Sequence, residues 1–253
     1  MSHSSPDENA TGLLAVAPDP RRYDGHTDDP LEVAGLLGSL APKNGRILDV
    51  GCGTGSVSRI VAGLSGSTVV GVEPDASRAA VAASRGLEVH SGFLHEELLP
   101  KLGKFDAIMF ADVLEHLDQP AALLNLALGA LAPGGVVLIS VPNVAHWTVR
   151  WDLLRGRWRY AEFGIMDATH LRWFTADSII HLCRSCGLAV QEYRLTAGVT
   201  LPDYSRRLFW RRLPDRARRR IIHCLLRLFP QLFGCQHVVR AALRPVRDEQ
   251  LGK

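Results

Sequence analysis

Long apolar runs are missing from this sequence of 253 residues. A membrane-spanning helix needs about twenty consecutive apolar residues, and no stretch reaches that length. Residues 1–5 are polar and lack the basic and then apolar build of a secretory signal peptide. We therefore expect a cytoplasmic protein without a transmembrane segment.

Cysteine is scarce, and its spacing does not suggest a disulfide framework. The five cysteines are odd in number and scattered along the chain. Cys183 and Cys186 form a C-x-x-C pair, but this pair falls inside a helical pattern, with no second pair and no nearby histidine cluster. Two helix thiols are therefore favoured over a zinc site.

An excess of one charge sign is also missing, since 29 Lys and Arg residues face 26 Asp and Glu residues for a formal net charge of +3. This balance says little about partners, and we expect a small-molecule substrate and no nucleic acid. The apolar share of 47% is enough to bury one substantial α/β core with a small lid.

The most informative stretch is an apolar strand, a glycine-rich turn and a helix within residues 47–64. Gly51, Gly53 and Gly55 let the backbone turn tightly and let a ligand approach the bare main chain. The following helix points its free N–H groups at such a ligand. The dinucleotide fingerprint G-x-G-x-x-G would need glycine at position 56, where this chain has Ser56. A nicotinamide dehydrogenase is therefore disfavoured.

A second predicted strand, residues 68–73, ends in Glu73. A carboxylate at this point can accept hydrogen bonds from both hydroxyls of a ribose. Together with this acid, the run I-L-D-V-G-C-G-T-G at residues 47–55 resembles motif I of the class I S-adenosylmethionine-dependent methyltransferases. The resemblance implies that S-adenosylmethionine binds at the turn.

The cofactor-binding residues are expected at the carboxyl ends of the strands, where ligands bind in open α/β sheets. They are Asp49, Gly51, Cys52, Gly53, Gly55, Glu73, Pro74, Ala111 and Asp112. The family usually carries an acid after the third strand, and Phe93 stands near that place, either stacked on the purine or in the core. Tyr23 either closes over the cofactor, as in related methyltransferases, or is an ordinary surface aromatic.

Strands and helices alternate along the chain, which predicts right-handed βαβ units and a parallel sheet. Strands are predicted at 46–50, 68–73, 87–90, 105–110, 136–141, 188–195 and 236–243, and helices at 55–65, 75–85, 94–102, 119–131 and 175–186. The fold class is α/β, a Rossmann-like seven-stranded, mostly parallel sheet with helices on both faces and a small helical lid. The resemblance implies that the last strand is antiparallel and lies between strands five and six.

Composition divides the chain into four parts. Residues 1–22 are predicted to be a disordered lead-in, 23–200 the cofactor-binding core, 201–234 an Arg-rich helical insertion, and 235–253 the last strand and tail. The insertion holds Arg206, Arg207, Arg211, Arg212, Arg216, Arg218, Arg219 and Arg220. Its basic amphipathic pattern indicates either contact with an anionic membrane surface or a phosphorylated acceptor, or a solvated face on a helix that packs on the core.

Asp112, Glu115 and His116 follow the fourth strand and would share one face of a helical turn. The segment resembles the E-x-x-E-H segment of ubiquinone-pathway O-methyltransferases and small-RNA 2′-O-methyltransferases, where it is associated with metal binding. Asp112, Glu115, His116 and His170 are therefore a candidate magnesium or zinc site. Many class I methyltransferases carry such a segment without a metal, and this alternative is favoured.

Residues 140–175 are the segment most similar to the MetW-like methyltransferases and related bacterial methyltransferases often found with glycan or secondary-metabolite genes, a resemblance that spans about residues 45–195. The matching pieces are P-N-x-x-H-W-x-x-R, L-L-R-G-R and D-x-T-H-L-R-x-F-T. Beside Glu115 and His116, the candidate acceptor-binding residues are Asn143, Trp147, Arg150 and Arg172. The alternative for the Trp and Arg residues is simple packing of a flap.

His170 is the first candidate for a general base, because it lies in a polar turn and its ordinary pKa is near neutrality. Asp167 would orient its imidazole; alternatively, both residues only pin the loop. We expect methyl transfer to a hydroxyl of a sugar or small metabolite. The alternatives are an N-methyltransferase and a non-catalytic S-adenosylmethionine-binding partner of a biosynthetic enzyme.

Overall fold

A computed structural model gives the architecture. It describes residues 19, 21, 23–199, 201, 204 and 208–245, with the side chains of 208 and 209 left out. Most of the predicted lead-in, Arg206, Arg207 and the tail beyond residue 245 lie outside the described residues.

Strands and helices alternate as the sequence predicts. The strands are β1 Arg46–Val50, β2 Thr68–Glu73, β3 Glu88–Ser91, β4 Phe105–Ala111, β5 Leu131–Pro142, β6 Leu188–Leu195 and β7 Gln236–Leu243. The helices are α1 Val33–Leu40, α2 Ser56–Ser65, α3 Ala76–Ser84, α4 Leu99–Leu102, α5 Pro120–Leu128, α6 Trp147–Leu153, α7 Ala176–Ser185, α8 Leu208–Arg211, α9 Asp215–Leu228 and α10 Pro230–Phe233. A 3-10 turn, Leu114–His116, follows β4.

The seven strands form one sheet in the order β3-β2-β1-β4-β5-β7-β6. Neighbouring strands from β3 to β5 are parallel, whereas β7 is antiparallel to both β5 and β6. The prediction of a mostly parallel sheet with the last strand inserted between strands five and six is confirmed. The strand order reverses between β1 and β4, which marks the crevice where such sheets bind ligands.

Both faces of the sheet are buried, which explains why the central strands are nearly continuous apolar runs. Alternate residues of β1 point to opposite faces: Leu48 packs on the side of α5 and α7, and Ile47 on the side of α1 and α2. Ile139 and Leu138 of β5 alternate in the same way. The core therefore holds the carboxyl ends of β1, β2 and β4 at one edge.

Helix starts follow from local side-chain chemistry. Asp75 caps α3, because its Oδ1 accepts hydrogen bonds from the N–H groups of Ser77 at 2.8 Å and Arg78 at 3.2 Å. Thr175 caps α7 in a capping box with Ser178. Both predicted caps are confirmed.

Several predicted boundaries were wrong. The fifth strand, predicted at 136–141, begins at Leu131, and its register with β4 shifts so that Phe105 pairs with Leu131 and Ala107 with Val136. The extra residues bulge out of the ladder, so strand pairing begins before them. The short helix expected near 94–102 is reduced to α4, and α5 ends at Leu128 rather than at 131.

The Arg-rich insertion packs one side on the body of the protein. Ile222 and Leu226 of α9 are buried in a cluster with Tyr204 and Trp210, which confirms the alternative of a core-packed helix with a solvated arginine side. Arg219 forms an ion pair with Asp29 at 3.1 Å. Among the described residues, no helix combines the length and apolar character needed to cross a membrane.

Candidate functional site

A cleft of about 700 Å³ opens at the carboxyl ends of β1, β2 and β4. It contains most of the residues that the sequence singled out. Those lining it are Tyr23, Asp49, Gly51, Cys52, Gly53, Glu73, Pro74, Ala111, Asp112, Glu115, His116, Asp167 and His170.

The glycine-rich turn after β1 adopts a backbone that side chains would strain. Gly51, Gly53 and Gly55 have φ values of +77°, +55° and +73°. A Cβ on Gly51 would lie 2.7 Å from Val113 Cγ2, whereas one on Gly53 would meet no atom within 4 Å. Gly53 therefore faces open space in the cleft, and Gly55 lies behind the turn as the residue that begins α2.

Glu73 ties the two loops of this half of the cleft together. Its Oε2 accepts a hydrogen bond from the Gly53 N–H at 2.8 Å, and its Oε1 accepts one from the Asp75 N–H at 3.0 Å. The side chain is buried among the strand ends. Each carboxylate oxygen has a second lone pair, so the group can still accept hydrogen bonds from a ligand.

Asp49 is a buried carboxyl directly under the turn. Its Oδ2 accepts a hydrogen bond from Ser58 Oγ at 2.5 Å, and its Oδ1 has no hydrogen-bond partner. Burial raises the pKa of Asp49 to about 7; the Ser58 bond opposes this rise and the charge of Glu73 adds to it. Asp49 therefore holds a proton over much of the acid range.

Residues 23–26, called here the N-terminal strap, cross the mouth of the cleft. Asp24 bonds the hydroxyl of Thr54 and forms an ion pair with Arg85 at 2.5 Å. Arg85 also donates to the Thr54 carbonyl at 3.0 Å. At the other side, the Tyr23 hydroxyl donates to Asp167 Oδ2 at 2.9 Å. The strap thus joins the glycine-turn side of the cleft to the loop that carries His170.

Asp112 has a left-handed backbone, with φ of +55°. Its N–H donates to the Ser140 carbonyl and hydroxyl, and its Oδ1 accepts a 2.6 Å hydrogen bond from Ser140 Oγ. Its Oδ2 accepts a bond from Gln236 Nε2 at 2.9 Å. Strands β5 and β7 therefore fix both the backbone and the carboxylate of Asp112.

Glu115, His116 and His170 form a tight cluster at the far side of the cleft. One ligating atom from each lies within 4.8 Å of the others, and the two imidazole centroids are 4.9 Å apart. Both carboxylate oxygens of Glu115 are buried without a hydrogen-bond partner. Burial, reinforced by the charge of Asp112, raises the pKa of Glu115 well above its ordinary value.

The donor set of this cluster fits a divalent cation. Two imidazoles and one carboxylate are ligands typical of zinc, and a cation would satisfy the orphaned oxygens of Glu115. Asp112, the fourth residue of the predicted set, instead directs its oxygens at Ser140 and Gln236.

His170 is buried and held by its own loop. Its Nδ1 lies 3.2 Å from the carbonyl oxygen of Ile165. Because a carbonyl only accepts, Nδ1 carries the hydrogen and Nε2 keeps its lone pair. Burial lowers the pKa of His170, and nearby His116 lowers it further. The imidazole is thus kept neutral, the form that can accept a proton.

Asp167 is anchored chiefly by its own turn. Its Oδ1 accepts hydrogen bonds from the Thr169 N–H at 2.8 Å and hydroxyl at 2.7 Å. Burial alone would raise the pKa of Asp167, but the bonds from Thr169 and Tyr23 lower it overall. The carboxylate is therefore charged and pins the loop while facing the imidazole of His170.

The aromatic and cationic candidates beyond β5 have structural contacts. The buried amide of Asn143 donates to the Gly234 carbonyl at 2.8 Å, and Trp147 Nε1 donates to the Tyr204 hydroxyl at 3.2 Å. Arg150 Nε donates to the Ala145 carbonyl, and Arg172 donates to the Asp118 carbonyl. These contacts correspond to the flap-packing alternative.

Phe93 is 78% exposed, so the alternative that placed it in the core was wrong. Gly92, with φ of +131°, turns the chain outward at this point. Stacking on a purine remains a prediction for this side chain.

Sequence reasoning missed the apolar wall and the far edge of the cleft. These residues are Glu32, Phe163, Ile165, Leu201, Cys235 and Gln236. Burial raises the pKa of Glu32 to about 7. Of these residues, Gln236 could have been predicted to line the cleft from the sequence. An antiparallel last strand begins at the edge of the sheet where the parallel strands end, and Gln236 is the first residue of that strand.

The sequence of residues 26–193 matches the family described as "Methyltransferase domain". A ubiquinone biosynthesis O-methyltransferase of Bradyrhizobium sp. (strain ORS 278) is 31% identical over 164 residues, 58% of this chain and 63% of that protein. One from Dinoroseobacter shibae is 37% identical over 103 residues, 39% of this chain and 41% of that protein. The chain thus spans less than two thirds of these relatives.

A solved structure from Thermotoga maritima, titled a SAM-dependent methyltransferase and possible histamine N-methyltransferase, has the same fold. Its TM-score is 0.56 at 20% identity, over 85% of this chain and 89% of that one. At this identity the likeness is one of fold.

Burial of Asp49 predicts a pH-dependent stability. The contribution of Asp49 to wild-type stability should fall as the pH rises from about 4 to about 7, because its carboxyl ionises freely in the unfolded chain while the folded one keeps its proton. Asp49→Asn lacks this group, so its stability relative to wild type should rise across that window by an amount on the order of a few kcal/mol. Urea unfolding at several pH values measures the difference.

Asp118→Asn, which removes a carboxyl outside the cleft, is the control and should follow the wild-type pH profile. Parallel profiles for Asp49→Asn and wild type would contradict the assignment of a protonated Asp49.

Proposed function

Because the chain belongs to the methyltransferase domain family and is a class I S-adenosylmethionine-dependent methyltransferase, we propose that it methylates a hydroxyl group of a small molecule. The observation that carries this proposal is the neutral, buried imidazole of His170 in the same cleft as the glycine turn and Glu73. These residues would hold the cofactor and the base within one cavity.

The glycine-turn side of the cleft is assigned to the cofactor. Bound S-adenosylmethionine supplies an activated methyl group on a positively charged sulfur. Glu73 would accept the ribose hydroxyls, and the bare backbone at Gly53 leaves room for close approach. The strap would hold the cofactor from outside through Tyr23.

The far side is assigned to the acceptor. The acceptor oxygen attacks the methyl carbon as the bond from carbon to sulfur breaks, and its proton passes to Nε2 of His170. The Ile165 carbonyl keeps the hydrogen on Nδ1, so Nε2 is ready to accept. Positioning supplies much of the rate, because the displacement is in line.

The acceptor class follows from the walls of this side. Phe163, Ile165 and Leu201 form an apolar wall that suits a ring or hydrocarbon body, while His170 and Glu115 face its hydroxyl. A sugar or another small metabolite of glycan or secondary metabolism fits this description. The relatives' name, O-methyltransferase, supports oxygen over nitrogen as the acceptor atom.

Two other functions remain as alternatives to test. An N-methyltransferase would act on amines in the same assay, and a non-catalytic partner would bind the cofactor without releasing a methylated product. A methyl-release assay with hydroxyl and amine acceptors separates the three. No disulfide joins the cysteines in the described part of the chain, which supports action in a reducing compartment such as the cytoplasm. Replacing Arg211, Arg212 and Arg216 with Glu tests the other expectation, peripheral membrane contact through the Arg-rich insertion, and we expect no loss of vesicle binding because that helix packs on the protein.

A divalent cation is the second element of the proposal, favoured by the unpartnered oxygens of Glu115. Glu115, His116 and His170 would hold it. Magnesium or zinc at this point would supply Lewis-acid polarisation of the acceptor hydroxyl. In that case His170 is a ligand, and the proton leaves by another route.

Glu73→Gln should weaken binding of S-adenosylhomocysteine about ten- to a hundredfold, because a charged acceptor of hydrogen bonds is lost. Isothermal titration calorimetry measures this. Glu88→Gln, on exposed strand β3, is the matched control and should bind as wild type. Equal affinity of all three proteins, or tight binding of NADH to wild type, would contradict the cofactor assignment.

His170→Ala should lower kcat about a hundredfold or more, the usual contribution of a general base. Its affinity for S-adenosylhomocysteine should change little, because the imidazole lies on the acceptor side. His181→Ala, on the surface of α7, is the control. Unchanged turnover in His170→Ala would remove this residue from the mechanism.

Dialysis against EDTA distinguishes the two roles of His170. If the cation is present, activity and bound metal, measured by mass spectrometry, are lost together and return with magnesium or zinc, and Glu115→Gln retains little metal. Full activity after dialysis, unaltered by added metal, would exclude the cation and leave the base.

A further inference from the structure

Large apolar side chains stand exposed in one short segment that leads to the cleft. They are Trp151, Leu153, Leu154, Trp158, Tyr160 and Phe163. Leu154 is 80% exposed and Tyr160 58%. Single exposed apolar residues are common on protein surfaces, but a contiguous group marks a contact site.

The segment is ordered by its own contacts. Helix α6 buries Thr148 and Val149 and leaves Trp151 and Leu153 outside. The Arg157 N–H donates to the Asp152 carbonyl at 2.9 Å, which folds the chain back on the helix. The apolar side chains are thus held outward by the fold.

Aromatic rings continue this surface onto the next loop. Trp158 packs edge-on against Trp173 at 5.3 Å between centroids, and Tyr160 lies 6.2 Å from the same ring. We call residues 151–160 the aromatic-arginine face. Backbone hydrogen bonds from Arg155 and Arg157 to Asp152 and from Gly156 to Leu153 fold the segment tightly, which keeps its members close together.

Arginines alternate with the aromatic residues of this face. Arg155 stacks on Trp151 at 3.7 Å from the ring centroid, a cation-π contact. In the part of the chain that the structure describes, no ion pair involves Arg155, Arg157 or Arg159. The face contains these three arginines and one acid, Asp152. The net charge of the face is therefore positive and can attract an anionic surface.

We propose that the aromatic-arginine face docks on an anionic lipid bilayer. Aromatic side chains prefer the boundary between headgroups and hydrocarbon, leucines enter the hydrocarbon, and arginines bind lipid phosphates. An anionic bilayer therefore provides a binding region for the aromatic residues, the leucines and the arginines at the same time. The aromatic-arginine face is separate from the arginines of α8 and α9. Those helices pack their apolar side on the body of the protein.

Docking in this way turns the acceptor side of the cleft toward the membrane. Phe163, Gly164 and Ile165 follow the face directly and line the cleft. Resting on the proposed function, this geometry lets an acceptor with an apolar tail enter from the lipid. The docking itself does not depend on which acceptor is methylated.

Sedimentation of the full chain with vesicles tests the proposal. Protein should bind vesicles of phosphatidylcholine containing phosphatidylglycerol and bind pure phosphatidylcholine vesicles weakly, and added salt should weaken the binding. Tryptophan fluorescence should shift to the blue on binding, because Trp151 and Trp158 leave water.

Two variants of the face should each weaken binding at least about tenfold, one by charge and one by apolar contact. The charge variant combines Arg155→Glu, Arg157→Glu and Arg159→Glu. The apolar variant combines Trp151→Ser and Leu154→Ser. The matched control changes the same charge elsewhere, as Arg211→Glu with Arg212→Glu and Arg216→Glu, and should bind as wild type. Affinity for S-adenosylhomocysteine confirms that each variant is folded.

Three outcomes would overturn the proposal. They are absence of vesicle binding, equal binding by the face variants and wild type, and loss of binding in the control alone. Self-association of wild-type protein that the face variants abolish, without vesicle binding, would assign the face to a second copy of the chain. Methyl release in free solution is read separately, so failure of docking and failure of the proposed reaction are distinguishable.

Discussion

The carboxylate of Glu73 is the interaction on which the cleft depends. It accepts the N–H of Gly53 from the loop after β1 and the N–H of Asp75 from the loop after its own strand. Two neighbouring strand ends are thereby fixed to one side chain, and the glycine turn keeps a backbone that only glycine adopts without strain. The same carboxylate is the proposed acceptor of the cofactor's ribose hydroxyls, so under that proposal the folding of the turn and the binding of the cofactor would rely on one group.

Three carboxyl groups with raised pKa values line the same cleft. Asp49 and Glu115 are buried and Glu32 is half-buried, and desolvation is the largest cause of the raised pKa in each case. Bringing three such groups together is unfavourable for folding when all are charged. A cationic ligand would offset this cost by stabilising the ionised forms, which suits the sulfonium that we propose binds here. Burial of these carboxyl groups would therefore lower the stability of the protein without ligand and raise its affinity for positively charged ligands.

The sequence predicted the sheet well because apolar strands, glycine turns and caps are local signals. β1, β2 and β6 have the predicted bounds, and Thr175 caps its helix as expected. The contacts that finish the cleft are long-range. Gln236 reaches Asp112 across 124 positions, and Arg85 reaches Asp24 across 61. Such pairs leave no periodic pattern in one sequence, so the strap and the support of Asp112 became visible only in the fold.

The N-terminal strap binds both halves of the cleft at once. Asp24 holds Arg85 on the cofactor side, and Tyr23 holds Asp167 in the loop of His170. For one end to swing away, the other must shift too, because only one residue boundary separates the two anchors. If the cofactor and the acceptor bind as proposed, exchange of spent cofactor and loosening of the loop of His170 would be mechanically coupled, so that each turnover would reset both binding sites in a single movement.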